Sequence, residues 1–75
     1  MNNQKMTHIP ADKISFVISQ LDKDVRNGNP ALDNMRCIYI EEDSNIIHLL
    51  SVFDFIDLNP RPKIKSLMIS QVLEN

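Results

Sequence analysis

Ile46-Ile47-His48-Leu49-Leu50-Ser51-Val52-Phe53-Asp54-Phe55-Ile56-Asp57-Leu58 is the stretch on which the fold turns. Nine of its thirteen residues are large and apolar. Such a run is too costly to leave in water, so it is the expected core element. It is too short, and too interrupted by His48, Asp54 and Asp57, to span a bilayer. Read as a helix, it puts Ile46, Leu49, Leu50, Phe53 and Ile56 on one face and His48, Ser51 and Asp54 on another. Read as a strand, it shows no clean alternation, and thirteen residues exceed the usual strand length of about five or six. The helix reading is favoured, and it makes Leu50 and Phe53 core residues.

The neighbouring segments are read outward from this run. Upstream, Glu41-Glu42-Asp43-Ser44-Asn45 is polar punctuation, either the cap of a third helix or the turn of a hairpin. Before it, Ala31, Leu32, Met35, Ile38 and Tyr39 form a helical stripe behind Asn29-Pro30. Cys37-Ile38-Tyr39-Ile40 has strand composition as well. Asn59-Pro60-Arg61-Pro62 stops the central run, because the residue before a proline avoids the α region. Ile64, Leu67, Met68 and Val72 then mark a last helix. Near the start, Pro10, Ala11 and Asp12 open a helix whose stripe is Ile14, Val17, Ile18, Leu21 and Val25, and Asn27-Gly28-Asn29 ends it. Asn-Pro stands twice at a helix start, at 29–30 and 59–60.

The expected fold is therefore all-α, a bundle of about four short helices at 10–27, 30–41, 44–58 and 61–74. The alternative is α+β, a helix–β-hairpin–helix arrangement with strands 35–42 and 46–53. Residues 1–8 read as a flexible polar tail, and 9–75 as a single small domain.

Composition narrows the function classes. The chain has 75 residues, 43% hydrophobic and 24% charged, a globular balance. Its formal net charge of −2 disfavours nucleic acid as the main partner. Cys37 is the single cysteine, so no internal disulfide forms, which suits a cytoplasmic location. The N-terminus lacks the apolar segment of a signal peptide, and no membrane association is expected.

No chemical signature emerges. His48, Ser51 and Asp54 contain triad residue types, but at this spacing they form the wet face of a helix, and triads are assembled from separate elements. Cys37, His8 and His48 show no metal-ligand spacing. Glu41, Glu42 and Asp43 read as a solvated junction. The expectation is a chain without catalytic residues, metal or cofactor.

Two features point to binding instead. Arg61, Lys63 and Lys65 crowd the start of the expected last helix, where stability prefers acids, so they are candidate contacts for an anion or an acidic partner. Phe16, Ile40, Phe55, Ile69 and Leu73 fall outside the core stripes and form a candidate interaction surface. The expected function is a non-enzymatic protein-interaction module, a regulator, adaptor or inhibitor that binds another protein or itself as a homo-oligomer. The alternative is a nucleic-acid-binding transcriptional regulator that uses the basic start of the last helix.

Overall fold

In the computed structural model, which describes residues 3–59 and 61–73, strands dominate where helices are expected. The order is β1 (Asn3–Ile9), α1 (Ile14–Arg26), β2 (Met35–Glu41), β3 (Ile47–Ser51), α2 (Val52–Ile56) and β4 (Ile64–Leu73). The strands form one antiparallel sheet in the order β1-β4-β2-β3. Strands β1 and β2 are thus parallel to each other with β4 between them, and β3 and β4 are parallel with β2 between them. Each parallel pair needs a crossover, which α1 and α2 supply.

The first helix forms where its periodicity places it. A 3-10 turn, Ala11–Lys13, leads into α1, whose buried residues are Ile14, Ile18 and Leu21. Its end follows the glycine rule. Gly28 takes φ 68°, its N–H donates to Val25 O (3.0 Å), and Asn29 N–H donates to Asp24 O (3.1 Å). The last carbonyls of the helix are thereby satisfied.

The other three expected helices are corrected. Asn29 does cap and Pro30 does open a turn, its amide-bearing neighbour Ala31 donating to Asn29 Oδ1 (3.0 Å). That turn closes at Leu32, and the β-branched and aromatic residues of 35–41 extend into β2. The central run is split: its first part is β3, and α2 begins at Val52 with Ser51 as its cap, Oγ accepting from Asp54 N–H (3.1 Å). Residues 64–73 are β4, not a helix. Strands β2 and β3 occupy the segments of the hairpin alternative, yet that reading also lacks β1 and β4. The expected flexible tail contributes β1 from Asn3 onward, while residues 1–2 lie outside the described residues.

One core forms between the sheet and the two helices. Ile9, Cys37, Tyr39 and Leu67 rise from the sheet to meet Ile14, Ile18, Leu21, Val52 and Phe55. Phe55 is fully buried and its ring lies 5.3 Å from that of Tyr39. Of the expected core face of the central run, Leu50 and Ile56 do pack against the core, whereas Phe53 is 37% exposed and Ile46 and Leu49 face water. A β-bulge at Ile40/Glu41 opposite Ser66 and Ile64 sets Lys65 out of register. Among the described residues, no helix is long and apolar enough to cross a membrane.

Candidate interaction surface

Side chains alternate between the faces of a strand, so the register assigns each one a side. Met35, Cys37 and Tyr39 of β2 point to the helices, as do Leu67 and Ile69 of β4 and His48 and Leu50 of β3. The opposite side carries Ile38 and Ile40 of β2, Met68 and Val72 of β4, Ile47 and Leu49 of β3, and Met6 of β1. Among the described residues, no element covers it. Ile47 is 66% exposed, Leu49 65% and Met6 51%.

An antiparallel sheet with one solvated face normally carries polar residues there. Here the polar residues are Ser66, Ser70, Ser51 and Gln4, with Arg36 and His8, six against the seven apolar ones. Ser70 is buried between its longer neighbours and accepts a hydrogen bond from Gln4 Nε2. Arg36 and His8 are the ionisable residues of this face, and no described Asp or Glu lies on it. The Arg36 guanidinium folds back to donate to Met35 O (2.9 Å) and Asp33 O (3.4 Å). The result is an apolar field spread across four strands, the kind of patch that marks a contact surface.

Of the five residues expected to form a surface, the structure brings only Ile40 onto this face. Phe16 is exposed on α1, in the other layer. Phe55 is core, and Ile69 packs against the core from the helix side of β4, so neither lies on this face. The Leu73 side chain lies outside the described residues. Met6, Ile47, Leu49 and Met68 were missed by stripe counting. Met6 stands between Lys5 and Thr7, and Ile47 and Leu49 flank His48, a period of two, whereas Met68 lies between Leu67 and Ile69 and shows none.

The basic cluster also changes character. No helix starts at residue 61, so no helix dipole reinforces it. Arg61 pairs with Asp22 Oδ2 of α1 at 3.5 Å, and Asp22 Oδ1 also accepts from Arg26 Nε at 3.2 Å. Lys63 accepts a hydrogen bond at its carbonyl from Glu42 N–H (2.7 Å), while its side chain and that of Lys65 are exposed. Arg61 is a tie between α1 and the approach to β4.

The residues that resembled catalytic sets have structural employment. Ser51 and Asp54 cap α2, Ser51 Oγ also donating to Asp54 Oδ2 (2.7 Å). His48 stacks on Tyr39, with ring centroids 4.6 Å apart, and its Nε2 lies 3.3 Å from Glu41 Oε1. Burial raises the Tyr39 phenol pKa, and the nearby Glu41 and Cys37 add to the rise. Burial alone pushes the Cys37 thiol up to about 12, which keeps it protonated and a poor nucleophile. Among the described residues, no three His, Cys, Asp or Glu side chains converge as a metal site would require.

Concavities adjoin the core at two places among the described residues; one, of about 500 Å³, lies between the end of α1 and the segment after α2, with Val25, Ile56 and Leu58 on its apolar side and Asp22, Arg26 and Arg61 on its polar side. The other, a groove of about 250 Å³, runs between β1, the end of α1 and the turn at Ala31, floored by Leu21, Leu32, Met35 and Ile69 and rimmed by Lys5, Asp24 and Gln71. It falls below the roughly 300–1,000 Å³ of most small-molecule sites. Gln71 Nε2 closes part of its rim by donating to Ala31 O (3.4 Å). No protein-family model matches the chain, and neither the curated proteins nor the solved structures provide a significant match.

Proposed function

We propose that this protein is a non-enzymatic interaction module that acts by binding a protein through the uncovered face of its sheet. The observation that carries the reading is the row of apolar side chains, exposed Met6, Ile47 and Leu49 with half-buried Ile38, Ile40 and Met68 between them, on a face where no described Asp or Glu lies. A reducing compartment, the cytoplasm, suits a chain whose lone thiol is buried and unpaired. A nucleic-acid reader built on the last two helices has no support, because residues 64–73 form a central strand.

The test is a capture experiment from native lysate with two baits, wild type and Leu49→Lys. Leu49 is largely exposed, so the change spares the fold. Proteins retained by wild type and lost by the variant support a binding face. Identical captured sets, with both baits folded by circular dichroism, refute it.

A further inference from the structure

We infer that the outer edge of β3 takes an extended, uncharged segment of another protein as a further strand of the sheet. The inference rests on the reading of the apolar sheet as a binding element and names how the partner is held, along an edge and by its backbone.

The sheet has two edges, and they differ. Strand β1 ends the order on one side and β3 on the other. Alternate residues of an edge strand turn their N–H and C=O groups away from the sheet, and among the described residues no backbone group bonds to either outer edge. Such an edge is normally guarded by a charge, a proline, a bulge or a covering loop. Strand β1 carries exposed Lys5 at mid-strand. Strand β3, Ile-His-Leu-Leu-Ser, has no Lys, Arg, Asp, Glu or Pro, and it pairs with β2 without a bulge. Its one ionisable side chain, His48, is on the helix side, stacked on Tyr39 beside Glu41. Exposure singles out the same strand. Ile47 is 66% exposed and Leu49 65%, both on the open face, and Ile46 just before them is 66% exposed. Among the described large apolar residues, only Phe16 is more exposed.

This pattern sets the chemistry of the occupant. Main-chain hydrogen bonds hold a strand added to a sheet edge, and its alternate side chains supply the match. Residues opposite each other across an antiparallel pair bring their Cβ atoms to about 5 Å, so a charge opposite Ile47 or Leu49 would be set against apolar surface. The matching segment is extended, apolar at alternate positions and uncharged. Strand β2 shows such a match on the inner edge of β3, where Ile38 stands opposite Leu49 and Ile40 opposite Ile47.

The test is an NMR titration of the intact, isotopically labelled chain with a capped peptide of alternating valine and threonine, to about 1 mM. The β3 amides, residues 47–51, are expected to shift. The same peptide N-methylated at every amide, which keeps its side chains and loses its donors, leaves them unmoved. Leu49→Lys weakens binding at least about tenfold. Should that variant fail to fold, Ile47→Lys takes its place. Shifts along β1 in place of β3 overturn the choice of edge. Shifts at Ile38 and Met68 that the N-methylated peptide reproduces overturn strand addition and leave the binding face standing. Amides of β3 that move on dilution of the chain alone assign the edge to a second copy and overturn a foreign segment. No shift at any residue overturns the inference, and the capture experiment then decides the face by itself.

Discussion

Phe53 and Phe55 sit two residues apart on the short helix α2, and replacing each with alanine separates the two possible faces of the central run. Phe55 is 0% exposed and packs against Tyr39, so its loss removes transfer energy and leaves a cavity between sheet and helix. The cost is about 3–5 kcal/mol. Phe53 is 37% exposed, and solvent fills the space it vacates. Its cost is the partial transfer term alone, about 1–2 kcal/mol. A domain of 75 residues has roughly 4–11 kcal/mol in total, so Phe55→Ala approaches the whole of it. Phe55→Leu, which keeps most of the volume, gives a measurable midpoint if the alanine variant is unfolded. Urea unfolding followed by circular dichroism is the assay. With a slope of about 1 kcal/mol per molar, the Phe55→Ala midpoint falls by about 3 M or more, against 1–2 M for Phe53→Ala. Equal shifts, or a larger shift for Phe53, would refute the placement of α2 on the sheet.

Cys37 makes stability depend on alkaline pH. Below its ordinary pKa of 9.0 both states hold the proton; above it the unfolded chain loses the proton while the native chain keeps it up to about 12, so stability falls as pH rises. The urea-stability gap between wild type and Cys37→Ala will narrow by about 2 kcal/mol near pH 10.5, and a constant gap would contradict the burial of the thiol. Gly28→Ala meets no atom within 4 Å but must hold φ 68°, so it costs about 1 kcal/mol, read as a lowered thermal midpoint; an unchanged midpoint would mean that the helix end is not left-handed. Ending the chain at Lys63 removes β4 from between β1 and β2, and the amide spectrum should lose its cooperative unfolding entirely, whereas a bundle without its last helix would keep helical signal.

The parts of the fold legible in the sequence are those where one physical cause acts alone. Helix α1 is amphipathic, opens after Pro10 and ends on the only glycine, and nothing competes with those signals. The central run misled because one apolar stretch serves two elements, and Ser51 ends β3 while capping α2. Strand β1 misled in the opposite way. Asn3 to His8 is polar, but its backbone pairs with β4 along seven residues, and that pairing has no hydrophobic signature. The turn at Pro30–Leu32 shows a start signal that is real and too weak to propagate, since a helix needs more than its cap.

Strand β4 joins the fold to the proposed function. Its Ile64, Leu67, Met68 and Val72 matched a helical stripe only because both of its faces are apolar. A strand between a core and water alternates, and the alternation reveals it. In β4, Leu67 and Ile69 face the helices while Met68 and Val72 face outward, so the period of two is erased. Strand β2 repeats the pattern, with Cys37 and Tyr39 inward and Ile38 and Ile40 outward. Apolar runs without alternation are the mark of strands buried on both faces. In this molecule the second covering layer is not supplied by the chain's own helices. The residues that hid the strands from a reading by periodicity are thus the same ones on which the proposed binding face rests.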